Sequence, residues 1–341
     1  MKIGYFTAII SFHIILFLLD LNHHMKRDIT LLINKSEITA GTRGASMGPE
    51  AVMTAARNIH SNYFGQYPIR TIQEFNSMLD QAVKHPFSKR IEGLIKVFKS
   101  VSENIQEVIG EGKFPLVIAA DHGSAGGTIA GIKASYPTKR LGVVWIDAHG
   151  DLHTPYTTPS GNMHGMPLAT ALNDDNRQVG INSLSDEVVS MWEELKSIGV
   201  AGAKINAEDL VFIAVRDTED QEDAIISRLN IKNHTVAEVR EKGLDSIMAE
   251  VNEQLKDCDI IYVSFDVDSM DPAFTSHGTG TPVDNGLKPH EAEYFLGELA
   301  KNDKTVCIEF VEVNPCLDEK TNKMAEVTFD LLEKTTRSLE K

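Results

Sequence analysis

Asp147, His149 and Asp151 occupy alternate positions in one short segment, and Asp266 and Asp268 repeat that spacing further along the chain. Each group directly follows an apolar run rich in β-branched residues, 141–146 and 260–265. Side chains alternate faces along a strand, so residues two apart project together. If the extended backbone persists past each run, each group converges on one point. Carboxylates crowded in this way repel one another and are costly to desolvate unless a cation holds them. His122, which follows the apolar run 115–120, adds a second imidazole. A lone DxD is more often a solvated turn, and a lone histidine more often a core residue; the joint pattern argues for metal. The set His122, Asp147, His149, Asp151, Asp266 and Asp268 mixes nitrogen and oxygen donors, which suits Mn²⁺ best and Fe²⁺, Co²⁺ or Zn²⁺ less well. Its four carboxylates balance two divalent ions with room for a hydroxide. Two ions about 3.5–4 Å apart can share a water and lower its pKa toward neutrality. Asp147 and Asp266, deepest toward the strands, are the candidates to bridge them.

The elements that must position these residues are legible in outline. Apolar runs predict strands at 29–33, 115–120, 141–146, 210–215, 260–265 and 305–311. Helices are expected at 49–60, 185–198, 237–255, 289–300 and 322–339. Another is marked by Ile91, Leu94, Ile95, Phe98, Val101, Ile105 and Ile109, whose three-to-four spacing stops at Gly110. Strands alternating with helices predict a three-layer α/β/α fold around a mostly parallel sheet. Ligands of such sheets bind outside the carboxyl ends of the strands. Asp121-His122, Asp147-x-His149-x-Asp151, Asp266-x-Asp268 and Glu312 all fall at predicted strand ends.

The chain has 341 residues, 42% of them hydrophobic, and a formal net charge of −16. That charge argues against nucleic acid as a partner. Cys258, Cys307 and Cys316 form no CxxC pair, so neither a disulfide framework nor a thiolate zinc site is expected. Residues 3–19 are mostly apolar and follow Lys2, like the core of a signal peptide, but no A-x-A-like cleavage site precedes His23-His24. The stretch is short for a membrane span. The expected organisation is an appendage at 1–24, or a native start at Met25, followed by one catalytic domain at 25–341. A cytoplasmic protein without membrane association is expected.

The segment Asp147-Ala-His-Gly-Asp-Leu-His-Thr-Pro-Tyr-Thr-Thr-Pro-Ser-Gly-Asn-Met-His-Gly-Met-Pro167 closely resembles the central motif of arginases. Ser264-Phe-Asp-Val-Asp-Ser-Met-Asp-Pro272 resembles the second ureohydrolase signature, and Glu312-Val-Asn-Pro315 the arginase C-terminal motif. Gly280-Thr-Pro282 also fits, and Thr157 to Asn162 points to the arginase branch over the agmatinase branch. The resemblance implies an arginase-like fold with two Mn²⁺ per subunit. One ion would take His122, Asp147, Asp151 and Asp266; the other would take Asp147, His149, Asp266 and Asp268. It further implies that a metal-bridging hydroxide attacks L-arginine to give urea and L-ornithine. Asp151 would serve catalysis as a ligand, His164 as proton shuttle and Glu312 as the acceptor facing the guanidinium. The implied substrate-binding residues are His153, Thr158, Ser160, Asn162, Asp217, Glu219 and Thr281. A homo-oligomer, trimer or hexamer, is implied as well. The alternatives are a ureohydrolase for another guanidino compound, such as agmatine or guanidinobutyrate, and a metal-binding pseudoenzyme.

Three segments depart from the family pattern. Ala119-Ala120-Asp121-His122-Gly123 stands where two glycines usually precede the Asp-His pair and serine follows it. His153 replaces an asparagine that contacts the substrate α-carboxylate. Glu219 replaces an aspartate that holds the α-amino group, and one methylene moves a carboxylate by about 1.5 Å. The hydrolytic set is thus complete while recognition of the far end of the substrate is altered.

Overall fold

The computed structural model describes residues 26–341; the expectations for 1–24 and for a start at Met25 lie outside the described residues. The strands are β1 (Ile29–Asn34), β2 (Ile69–Thr71), β3 (Phe114–Ala119), β4 (Leu141–Ile146), β5 (Leu210–Ile213), β6 (Lys232–His234), β7 (Ile260–Asp266) and β8 (Thr305–Val311). They form one sheet in the order β2-β1-β3-β8-β7-β4-β5-β6, every pairing parallel. The helices are α1 (Gly48–Asn58), α2 (Ile91–Gly110), α3 (Ala125–Ser135), α4 (Pro167–Leu172), α5 (Asp186–Ser197), α6 (Asp220–Leu229), α7 (Val236–Lys242), α8 (Leu244–Gln254), α9 (Pro289–Lys301) and α10 (Lys323–Leu339).

Strand alternation divides the core in two. Leu31, Ile33, Leu116 and Ile118 pack into one apolar layer with residues of α1, α8, α9 and α10. Leu32, Val117, Val143 and Trp145 pack into the other with residues of α2, α3, α4 and α5. Both faces of the sheet are therefore covered, which explains why the inner strands read as unbroken apolar runs.

The six expected strands are present. The edge strands β2 and β6 escape the sequence pattern because each is three residues long and largely polar. Helix α3 escapes it for the opposite reason: residues 125–132 are all buried, so no polar face marks a period. Its glycines let it lie against α2; a Cβ at Gly131 would come within 2.8 Å of Ile105 Cβ and the Ser102 carbonyl. The single helix expected at 237–255 is two, α7 and α8. Gly243, with φ 85°, breaks it between them in the left-handed region.

Four neighbouring strands in mid-sheet, β3, β8, β7 and β4, are followed by Asp121-His122, Glu312, Asp266-x-Asp268 and Asp147-x-His149-x-Asp151 respectively. Sheet order thus gathers residues that lie far apart in sequence along one sheet edge.

Candidate metal centre and substrate pocket

The aspartates and histidines converge, though not by strand alternation. β4 ends at Ile146, and Asp151 has φ 52°, in the left-handed region. Beyond β7, residues Val267–Ser269 form a 3-10 turn in which the Asp268 N–H donates to Asp266 Oδ1 at 2.8 Å. Turns bring the side chains round after the extended backbone has ended. His122 Nδ1 lies 2.9 Å from Asp147 Oδ2, 3.1 Å from Asp151 Oδ2 and 3.1 Å from Asp266 Oδ2. His149 Nδ1 lies 3.1 Å from Asp268 Oδ2 and 3.5 Å from Asp147 Oδ1. Among the described residues three groups could hold a metal: His153 with Glu219 and Glu222, and, from this set, His122 with Asp147 and Asp151 and His149 with Asp147 and Asp268. Asp147 belongs to the latter two and presents a different oxygen to each.

The electrostatics of this set call for cations. Burial, then Asp268 and Asp147, pushes the Asp266 carboxyl well above the usual range. Burial and the Asp147 charge raise Asp151 to about 6. Asp147 goes the other way: burial opposes its charge, but contacts with His122 and His149 hold it low. Like charges about 4 Å apart at an effective dielectric of about 20 repel by about 4 kcal/mol. Protons on His122 and His149, whose pKa values these carboxylates raise against burial, offset part of this repulsion; divalent ions would offset it through the same donor atoms. His122 Nδ1, Asp147 Oδ2 and Asp151 Oδ2 are buried without a hydrogen-bond partner, as atoms intended for a metal would be.

Residues that the motifs did not single out hold these donors in place. His122 Nε2 lies 2.7 Å from Ser264 Oγ; with Nε2 as the donor, this contact would leave Nδ1 free for a metal. Its ring stacks on Trp145, with centroids 4.1 Å apart and planes within 3°. Ser264 lies two residues before Asp266 on β7, so the alternation that flagged the aspartate could have flagged it too. Ser264→Ala should keep the fold but weaken divalent-ion affinity about 10-fold or more, measured by calorimetric titration. An unchanged affinity would show that His122 is oriented by stacking alone.

The donor set forms the floor of a cavity of about 340 Å³ lined also by Gly41, His153, Thr158, Ser160, Asn162, His164, Asp217, Glu219, Glu222, Thr281 and Glu312. Asp147 lies fully buried beneath it. Glu312, at the end of β8, has φ 70°, a conformation that costs on the order of 1–3 kcal/mol and gathers at functional sites. Its Oε1 accepts the His122 N–H at 2.9 Å. Burial, then Asp121, raises its carboxyl to about 8, so Glu312 would gain by meeting a cation. His164 Nδ1 stands 3.9 Å from Glu312 Oε1. Burial, then His149 and His122, lowers its pKa to about 4, leaving it a neutral base at pH 7. It lies in the turn Met163–Gly165 and does not cap α4. Thr281 donates to Asp268 Oδ2 at 3.2 Å, and Asp217 approaches His149 Nε2 at 3.7 Å.

The two later departures from the family pattern meet. His153 Nε2 lies 2.7 Å from Glu219 Oε2, and its Nδ1 lies 3.2 Å from Thr157 Oγ1. The longer glutamate reaches the imidazole. Burial opposes a charge on His153, but Glu219 outweighs it and raises the pKa. The same bond holds Glu219 down to about 2. Glu222, also missed, accepts the Leu152 N–H at 3.0 Å and the Glu219 N–H at 3.3 Å; its three-residue spacing from Glu219 at a helix start was the available signal. Neither Ala119 nor Ala120 has positive φ, so alanine brings no backbone strain to the turn before His122.

The opposite rim presents donors. Thr158 Oγ1 accepts the Gly161 N–H at 2.9 Å, and Ser160 Oγ accepts the Asn162 N–H at 3.2 Å. Both hydroxyl protons therefore remain to be donated.

The sequence model of the arginase family matches residues 28–336. The chain belongs to the arginase family. An arginase from Bacillus caldovelox is 34% identical over 298 residues, 85% of this chain and 91% of that protein. Human arginase-1 is 34% identical over 256 residues, 74% of this chain and 72% of that protein. The crystal structure of the Bacillus subtilis arginase superposes with a TM-score of 0.74 at 31% identity, covering 92% of this chain and 99% of that one. This arginase-family chain is accordingly an amidinohydrolase of the ureohydrolase type, with metal-ligand groups at the sheet edge where its family motifs fall. Among its described residues, no helix is long and apolar enough to cross a membrane.

Proposed function

We propose that this protein is a binuclear manganese hydrolase that cleaves L-arginine to urea and L-ornithine. One observation carries the reading: the cavity bears different polar side chains at its two ends, with an acidic, imidazole-bearing floor and a hydroxyl- and amide-bearing rim. A molecule with a guanidinium at one end and a carboxylate at the other matches that polarity. A related structure, that of the Entamoeba histolytica arginase, is a complex with L-ornithine, at a TM-score of 0.76 and 26% identity. His122, Asp147, Asp151 and Asp266 would hold one ion, and Asp147, His149, Asp266 and Asp268 the other. Mn²⁺ suits this set of hard oxygens and imidazoles. When bound, the pair supplies a nucleophile at neutral pH and electrostatic stabilisation of the charge that develops on the guanidinium carbon's substituents.

The chain's own groups account for the rest. Glu312 accepts from the guanidinium and fixes its plane. His164, neutral and beside Glu312, would accept a proton from the attacking water and pass it to the leaving amine. Thr158, Ser160 and Asn162 donate to the carboxylate. Glu219 is already engaged by His153, so the wall facing an α-amino group is less available than a free aspartate would make it. This favours testing guanidino acids that lack the amine. The protein loaded with Mn²⁺ should release urea from L-arginine at least about 100-fold faster, by kcat/KM, than from agmatine, since a rim of unmet donors penalises a substrate lacking the carboxylate. Guanidinobutyrate belongs in the same assay. Faster turnover of agmatine or guanidinobutyrate would replace the arginine reading with that of another ureohydrolase.

A further inference from the structure

Among the described residues no lysine or arginine lines the cavity, yet one ammonium reaches it at second hand. Lys89 Nζ donates to Asn162 Oδ1 at 3.0 Å. Among the described residues, no carboxylate pairs with that ammonium. The contact is built into the backbone. The Lys89 N–H donates to the Gly161 carbonyl at 2.9 Å, joining the segment before α2 to the rim loop. Gly161, with φ +75°, lies so close to Pro86 that a Cβ would stand 1.7 Å from the Pro86 carbonyl. That approach holds Lys89 against the loop that carries Thr158, Ser160 and Asn162.

The consequence falls on the Asn162 amide. Its oxygen is occupied by the ammonium, so its NH₂ group is what remains for the cavity. The nitrogen lies beside Gly41, which also lines the cavity: a Cβ there would come within 2.9 Å of Asn162 Nδ2. An amide flipped by half a turn would present its oxygen to an incoming anion and repel it. A cation on the oxygen also polarises the amide and strengthens the N–H donors on the other side. Thr158 and Ser160 are set as donors by backbone N–H groups, and Asn162 is set as a donor by Lys89.

We infer that Lys89 is a positioning residue that determines specificity: it locks Asn162 as a hydrogen-bond donor and makes the outer end of the cavity select ligands bearing a carboxylate. This rests on the proposed cavity polarity and deepens it. It adds a residue outside the motifs that carry the family resemblance.

The test compares ligand pairs that differ only in the carboxylate: L-arginine against agmatine for turnover, and L-ornithine against putrescine for calorimetric binding, all on Mn²⁺-loaded protein. Lys89→Met should raise KM for L-arginine and weaken L-ornithine binding about 10-fold, the scale of a hydrogen bond to a charged group. kcat should stay within about threefold, and putrescine binding should change less than about twofold. Lys89→Arg, which keeps the cation, should recover most of the loss. In an Asn162→Ala background, Lys89→Met should add almost nothing, because its route is gone. Equal losses for L-ornithine and putrescine, additive losses in the double variant, or unchanged L-ornithine affinity would each overturn the inference. So would a wild-type protein that binds neither. If the wild type binds L-ornithine but releases no urea from L-arginine, the catalytic proposal fails, and the binding comparison still decides the role of Lys89.

Discussion

Asp266→Ala should lose at least one divalent ion per chain and slow urea release from L-arginine by about 10³-fold or more, equivalent to roughly 4 kcal/mol of transition-state stabilisation. Asp266 ends β7 in mid-sheet, its Oδ2 3.1 Å from His122 Nδ1 and its Oδ1 accepting the Asp268 N–H at 2.8 Å. Removing it takes one donor directly and releases the turn that aims another. It also removes charge from a cluster whose other members are arranged around it. Metal content by mass spectrometry and urea release by a colorimetric assay give the two readouts. A variant that retains two ions per chain would exclude Asp266 as a bridge. Asp266→Asn separates shape from charge: it preserves the volume and should still bind metal poorly. The same electrostatics set a pH dependence. Protons compete with ions for Asp151, whose carboxyl is raised to about 6, and for Asp266, also raised. Ion binding displaces those protons, so affinity should rise with pH and fall steeply below about pH 6.

His164→Ala should do the reverse, keeping its metal while kcat falls by about 10²–10⁴, the range for losing a positioned acid–base group. His164 stands 3.9 Å from Glu312 but belongs to none of the metal-capable groups among the described residues. Its lowered pKa of about 4 leaves it uncharged near neutrality, ready to accept a proton and return it. Partial rescue of the variant by added imidazole would identify proton transfer as the missing function. Metal loss equal to that of Asp266→Ala would mean instead that His164 supports the metal floor.

These outcomes bear on residues whose types were legible before their geometry was. The spacing of Asp147, His149 and Asp151 announced metal, but for a reason only partly right. Strand alternation predicts convergence through extended backbone, whereas a left-handed Asp151 and a 3-10 turn after Asp266 bring it about. Local propensity does not reveal such turns, because surrounding contacts hold strained backbone in place. The interior strands and the longer amphipathic helices were readable because one-sided or two-sided burial leaves a period in the sequence; α6, whose only buried apolar side chain is Ile225, was not. Edge strands of three residues and a helix buried on every side leave none.

From sequence alone come the donor chemistry, the need for cations, the parallel α/β class and the family resemblance, since each depends on residue type and short-range spacing. Tertiary structure decided which donors meet, because strands β3, β8, β7 and β4 become neighbours only when the sheet assembles. It also decided the substrate end. In sequence, His153 and Glu219 are two separate departures and Lys89 is an unremarked cation. In the folded protein His153 and Glu219 share a 2.7 Å contact, and Lys89 donates to Asn162 at 3.0 Å. Hydrogen bonds act over a few ångströms of space, whatever the separation along the chain, so only the fold could show that these residues work in pairs.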